Sequence, residues 1–419
     1  MKVISTGDWH LGNMFHGIDR LPEQRHFLEW LLDTLEEQRP DALLVAGDVF
    51  DNGNPSEGAQ KLYYGFLREL SHRFPAMHTV VIAGNHDSVR LEAPREFAEL
   101  LNVHVRARVS RRWVAAGEDT PGHWERDYSD LMIPIPGSED PSFVVLAVPY
   151  LRADVLNGGS YSEGVRSLLT ELTREARNKW PGKTLIMCAH LYASGAEIPK
   201  RGSERLVIGG LEQIDLSGWE ERPDFLTAGH IHKRQRIAGT EWAAYTGSVL
   251  PMSFAEKDYI HGVDLIQSRP DGTLSRERIV YSPQHKLIDI PDATASEDIG
   301  YVSLKKMIKR LLQPAVGETP GPGCPYVRLR IDREKIKPER RAELESLVES
   351  RDAVLCVVEE TTATEVATVW EGETLRKIDD VLERDTIVSL EEAFLLRHGK
   401  DMNPRQLQMV NDLLMRAEE

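Results

Sequence analysis

The alternation of apolar and polar residues changes period along the chain, and each change marks an element. KVIST (2–6), DALLVAGD (41–48) and HTVVIAGNHD (78–87) are short continuous apolar runs, as expected of strands buried on both faces. Between them, LPEQRHFLEWLLDTLEEQ (21–38) spaces Phe27, Leu28, Leu31, Leu32 and Leu35 as a helical stripe, with Pro22 at its start. SEGAQKLYYGFLRELSHRF (56–74) predicts a second helix. The rhythm continues with a helix near 92–101, a strand near 143–149, a helix near 163–178, and strands at 183–190 and 224–232. Such βαβ alternation predicts an α/β chain on a largely parallel sheet with helices on its outer faces. Segments 242–247, 260–267 and 275–281 read as strands without intervening helices and predict a second, mostly antiparallel sheet. The Gly/Pro/Asp-rich stretch 111–142 reads as a surface hairpin or loop.

A break near 282–300 divides the chain. LLQPAVGETPGPGCP (311–325) is a loop by composition, whereas YVRLRID (326–332), a helix at 338–350 and AVLCVVEE (353–360) make a compact βαβ unit. The pattern predicts a main domain over 1–285, a small second domain over 286–362 and a Thr/Glu-rich linker over 363–375. A helical segment follows over 376–419. In it Ser389 and Asn403 stand as N-caps, Pro404 at a first helical position and Gly399 as a stop. Its stripe of Leu407, Val410, Leu413 and Leu414 is too short to bury its own core, so it docks either on the body of the chain or on a partner protein.

Composition narrows the class. With 419 residues, 41% apolar and 28% charged, the chain reads as globular, with no apolar run of transmembrane length. The opening MKVISTGDWHLG is strand-like and lacks signal-peptide character. Three widely spaced cysteines, Cys188, Cys324 and Cys356, fit reduced thiols in a cytoplasmic protein. The net charge of −16 argues against coating nucleic acid by bulk electrostatics. Local contact is still open through two basic runs, VRARVSRRW (105–113) and IHKRQR (231–236).

The chemistry lies at the carboxyl ends of the predicted strands, which in an open α/β sheet line one crevice. GDWH contributes Asp8 and His10, GDVFD contributes Asp48 and Asp51, and GNHD contributes Asn85, His86 and Asp87. CAH contributes His190, and GHIH contributes His230 and His232, which a strand ending in Gly229 would aim at one spot. Asp8, His10, Asp48, Asn85, His190, His230 and His232 offer oxygen and imidazole nitrogen and no thiolate. Seven ligands exceed one tetrahedral zinc and suit two ions sharing a carboxylate. The donor mix favours manganese, iron or zinc over calcium or hydrated magnesium. Asp48, on a central strand, is the natural bridge. Asp8, His10 and His232 would serve one ion, and Asn85, His190 and His230 the other. His86, beside a ligand without being one, is the candidate general acid, with Asp87 or Asp51 to orient its ring. Met14, Phe15 and His16 either touch substrate or pack.

GD-x-H, GDVFD, GNHD, a lone histidine and GH-x-H in series resemble the calcineurin-like metallophosphoesterases. GDWHLG (7–12), VAGDVFDNG (45–53), VIAGNHDS (81–88) and YTGSVLPMSF (245–254) further resemble the SbcD nuclease subunits, bacterial counterparts of the meiotic-recombination-eleven nucleases. The likeness is strong over the first 255 residues and architectural after about residue 290. It implies a four-layer α/β/β/α core with two manganese ions, a capping domain that helps hold DNA, and a C-terminal segment that binds the SMC-like ATPase SbcC. It also implies a homodimer within a heterotetramer, and exonuclease action on double strands with endonuclease action on hairpins and blocked ends, in DNA repair, recombination and replication. The place implied is the cytoplasm, near the nucleoid. Asp51 stands where some archaeal members carry histidine. Asn52 and the GNHD motif depart from protein phosphatases, which place arginine and GNHE there. The alternatives are a small-molecule, cyclic-nucleotide-type phosphodiesterase, which would not need the residues after the core, and a non-catalytic adaptor, which would not need a full ligand set.

Overall fold

The computed structural model describes residues 1–361, apart from 116–121, 138, 153–155, 157–159, 199–212, 293–298, 316 and 318–319. The expected linker and C-terminal helical segment lie outside the described residues.

Two six-stranded sheets face each other. In the first, Lys2–Thr6, Ala42–Ala46, His78–Ile82 and Val103–Arg106 run parallel, extended on the Lys2 side by antiparallel Gly262–Ser268 and Leu274–Val280. In the second, Ala243–Tyr245, Phe225–Gly229, Thr184–His190 and Phe143–Val148 run parallel, flanked by antiparallel Gln235–Arg236 and Met132–Ile135. Strands buried on both faces need apolar residues at consecutive positions, which is why ALLVA and FVVLAV lack alternation. Their inward residues, including Val3, Leu44 and Val80 from one sheet and Phe143, Val145 and Ile186 from the other, form the layer between the sheets. Helices Leu21–Gln38 and Glu57–Arg73 cover the outer face of the first sheet, and Tyr161–Lys179 covers the second. The result is the four-layer α/β/β/α arrangement.

One expectation is corrected here. Segments 242–247, 260–267 and 275–281 do not make a separate antiparallel sheet. The first joins the second sheet as a parallel strand, and the other two extend the first sheet. Periodicity identifies a strand but not its neighbour, which long-range pairing selects. The 111–142 stretch holds a hairpin, Ser110–Val114 with His123–Asp127, and then an edge strand, Met132–Ile135.

Beyond the core, Leu287–Ile290, Tyr326–Asp332 and Val354–Thr361 form a parallel three-stranded sheet with helices Tyr301–Leu311 and Pro338–Glu349. It has its own cluster around Leu304, Ile308, Val327, Leu329 and Leu344. It meets the core through Tyr326, which stacks on Phe15 at 5.7 Å and donates its hydroxyl to buried Glu23 at 3.1 Å. Arg328 lies over the Phe254 ring at 5.0 Å.

At the amino end of the first sheet, His78 and His104 stack with rings 5.3 Å apart and nitrogens 3.0 Å apart. Burial, then His78 and Arg106, push the His104 imidazole down to about 4. A histidine held neutral contributes stability that is complete above its unfolded pKa, near 6.5, and is lost as pH falls toward 4. Thermal denaturation scans of His104→Gln should therefore lose less midpoint than the parent between pH 6.5 and pH 4. Parallel pH profiles for the two proteins would refute that linkage.

Candidate metal centre

The carboxyl ends of both sets of parallel strands meet at one place, where every predicted ligand lies. Main-chain bonds hold the first two loops together: Asp8 N–H donates to the Gly47 carbonyl at 3.0 Å, and His10 N–H to the Asp48 carbonyl at 2.9 Å. Trp9, between the two predicted ligands, is buried on the opposite side. There it packs edge-on against Phe66 at 5.5 Å and donates to Thr6 Oγ1, which aims Asp8 and His10 away from the helices.

Backbone conformation matters here. Asp8, His10, Asp48 and His230 have φ of 51°, 45°, 48° and 96°, a region that residues with a Cβ rarely adopt. Such strain persists where the surroundings over-determine it, and it clusters at functional sites. It also shortens the strand expected over 224–232. The strand stops at Gly229, and His230 and His232 stand on the following turn with different partners. His230 Nδ1 lies 2.9 Å from Asn85 Oδ1, whereas His232 Nδ1 lies 3.2 Å from Glu256 Oε1.

Asp48 is the hub. Its Oδ2 lies 3.7 Å from His10 Nε2 and 3.5 Å from His190 Nε2, while Oδ1 accepts the His86 N–H at 2.9 Å. Burial alone would raise this carboxyl, but the imidazoles of His190, His10 and His86 and the His86 amide bring it down to about 2. Burial pushes His190 down and His230 to about 3, so both rings are neutral, the form that binds metal. Asp8 belongs to the same cluster, with Oδ1 4.0 Å from His190 Nδ1.

The donors fit divalent cations. His190 donates Nδ1–H to the Ala46 carbonyl at 2.9 Å, so its Nε2 presents a lone pair to Asn85 Oδ1 at 2.8 Å and to Asp48 Oδ2. Lone pairs facing oxygen at that range call for a cation. His10 Nε2 is buried without a hydrogen-bond partner and also faces Asp48. Asp48 takes part in two groups of donors close enough to share an ion, one with His10 and His86 and one with Asp8 and His190.

The candidate acid sits at the rim. His86 packs edge-on to His10 at 4.8 Å, and its Nδ1–H donates to the main-chain carbonyl of Asp51 at 2.8 Å. Asp51 thus meets His86 through its backbone. Its carboxylate accepts from Asn13 at 2.9 Å and lies 3.6 Å from His10 Nδ1, which together outweigh burial and lower its pKa. Asp87 does not reach the His86 ring. Its two oxygens accept the N–H groups of Val49, Phe50 and Gly84 at 2.9–3.0 Å, so it fixes the GDVF turn.

Sequence reasoning missed Glu256. It is fully buried, accepts the Met252 N–H at 2.9 Å and lies 3.2 Å from His232 Nδ1, so it orients that ring. The available signal was SFAE, in which Ser253 caps a 3₁₀ turn that carries the glutamate inward. Phe15 packs against Phe254 and Tyr326, while Met14 is exposed. The basic runs are largely tied up. Arg106 is buried against Glu99 and the Asp130 carbonyl, and Arg112 pairs with Glu125. In the second run Lys233, Arg234 and Arg236 pair with Glu197, Asp264 and Glu241.

Glycine supplies the clearance. A Cβ on Gly84 would fall 2.1 Å from Asp48 Oδ1 and 2.4 Å from Asp48 N, and one on Gly229 would fall 2.0 Å from the Ala46 carbonyl oxygen. Gly84→Ala should abolish tight manganese binding in calorimetric titration while the chain stays folded by circular dichroism. Glu256→Ala should weaken it by about 10–100-fold. Unchanged affinity in either variant would sink the corresponding role.

Comparison with known proteins agrees with this geometry. A calcineurin-like phosphoesterase family model matches residues 1–234, the span from the first strand through GHIH. Among curated relatives, the SbcD component of the SbcCD nuclease of Rhodobacter capsulatus is 34% identical over 278 residues, covering 64% of this chain and 66% of the relative. That of Escherichia coli K12 is 32% identical, covering 62% and 64%. That of Bacillus subtilis is 27% identical, covering 69% and 71%. The alignment thus spans just under two thirds of the length of the first two relatives. With the family match running over more than half its length, this chain belongs to the calcineurin-like phosphoesterases.

Proposed function

We propose that the chain is the metal-dependent nuclease subunit of an SbcC–SbcD-type complex, hydrolysing phosphodiesters at DNA ends and hairpins with two manganese ions. The observation that carries this reading is the buried Asp48 carboxylate shared between the His10 and His190 imidazoles. Asp8, His10 and His232 would hold one ion, and Asn85, His190 and His230 the other. When bound, such cations supply a water of lowered pKa and positive charge for the phosphate oxygens.

The chain's own residues do the rest. With Nδ1–H fixed on the Asp51 carbonyl, His86 can pass a proton only from Nε2, the atom left for the leaving sugar oxygen. Asp51 positions that ring through its backbone, and Asp87 holds the turn that carries Asp48. The unit over 286–362 would support DNA beside the site, and 376–419 would bind the ATPase, with two nuclease subunits pairing. The relatives named as SbcCD components favour this reading. Among the described residues, no helix is long and apolar enough to cross a membrane, and we place the protein in the cytoplasm.

An end-labelled linear duplex incubated with the purified chain and manganese should be cleaved, and EDTA should stop the reaction. His86→Ala should lower the rate by about 10²–10⁴-fold. If the duplex survives even with the ATPase added, while bis(p-nitrophenyl) phosphate turns over, a small diester is the substrate instead.

A further inference from the structure

A second basic site lies at the opposite end of the sheets. A cleft of about 960 Å³ opens where Thr184, Phe225 and Ala243 begin their strands and where Leu274–Arg276 runs beside the start of the first sheet. Along Thr184–His190 the metal centre lies at the far end, roughly 20 Å from Thr184 at about 3.3 Å per residue, whereas Arg234 on the cleft wall stands two residues after His232. Six arginines and one lysine line the cleft, against two carboxylates, Asp224 and Glu241. In a chain of net charge −16, this local excess of cations is an anomaly that solvation of a surface does not explain.

The excess is built in. Arg234, Arg276 and Arg278 converge on one buried carboxylate, Asp264, at 2.7, 3.6 and 3.4 Å. One acid thus anchors three guanidinium groups, of which Arg234 and Arg276 line the cleft and leave one positive charge unbalanced at its wall. At the mouth, Arg222 lies over the Trp242 ring at 5.1 Å, and Arg269 sits on the turn between Gly262–Ser268 and Leu274–Val280. Among the described residues, Arg222 makes no close ion pair and donates to the Pro223 carbonyl, and Arg269 is balanced only at longer range by Asp271 on the same turn.

We propose that this cleft binds a compact multivalent phosphate anion, of the class of pyrophosphate and nucleoside polyphosphates. Guanidinium forks match phosphate oxygens two at a time, and several of them on one concave wall select charge density over shape. The volume falls within the range of small-ligand sites. A duplex about 20 Å across would not enter a cleft of this size, and the acidic remainder of the surface repels an extended polyanion. The site is independent of the metal centre and stands whether or not the substrate is DNA.

The test uses the full chain in EDTA, so that metal-held phosphate does not contribute. Pyrophosphate and ADP are titrated while Trp242 fluorescence and binding heat are followed, with inorganic phosphate as the monovalent-group control. Saturable binding is expected, tighter for pyrophosphate or ADP than for phosphate. The Arg222→Ala/Arg269→Ala double variant should weaken it about tenfold or more, a loss of about 1.4 kcal/mol, with hydrolysis of bis(p-nitrophenyl) phosphate in manganese unchanged. ADP binding more tightly than pyrophosphate would identify a nucleotide as the ligand, and equal binding the phosphates alone. No saturation, or affinity indifferent to the double variant, would overturn the proposal. So would a duplex oligonucleotide that binds with the same dependence on both arginines, which would make the cleft a DNA contact.

Discussion

The metal centre depends on the burial of one charge. Removing a carboxylate from water costs several kcal/mol unless its neighbours replace the lost solvation. Asp48 is buried, and its neighbours are three imidazoles and a main-chain N–H. None of those imidazoles lies on the same strand as Asp48. His10 comes from the preceding loop, His86 from the turn after the next strand, and His190 from the facing sheet. The charge is therefore tolerable only when the two sheets are stacked and all the strand ends are in register. In that sense the site is a consequence of the fold's central layer, and the apolar contacts of Leu44, Val80, Val145 and Ile186 set its geometry.

The close approach has steric conditions as well. Gly84 and Gly229 sit where a side chain would meet Asp48 or the Ala46 carbonyl, and four of the predicted ligand residues adopt left-handed backbone. Asp87 shows how the strain is contained. Although burial and the Asp48 charge push its carboxyl up, it collects three N–H groups and locks the turn that carries Asp48. Glu256 does the corresponding work for His232. These two buried acids thus act as fasteners, which is why short acidic motifs alone do not sort ligand from support.

The charge balance follows the same logic. Most of the described basic side chains near the predicted DNA-facing runs are spent on local acids. The cationic surplus lies along the cleft that opens at the amino ends of Thr184–His190 and Phe225–Gly229, and it draws Arg234 and Arg236 from the second of those runs. Two opposite ends of one pair of sheets therefore carry opposite chemistry: cation-seeking donors at one and anion-seeking guanidiniums at the other.

Much of this was legible in the residues. Continuous apolar runs ending in Gly-Asp, Gly-Asn and Gly-His announced buried parallel strands with polar side chains at their carboxyl ends, because only strands covered on both faces forgo alternation. The seven donors followed from that placement. The facing of the sheets came only from the family resemblance, and the sheet that Gly262–Ser268 and Leu274–Val280 join and the partners of His230 and His232 were not legible. Nor were the role of Glu256 and the cleft at the far end. Each depends on contacts between residues tens to hundreds of positions apart, such as His190 with Ala46 or Arg276 with Asp264, and local periodicity carries no record of them. The chain's local pattern determined which residues could hold metal, and tertiary packing alone decided which of them meet and which acids hold them in place.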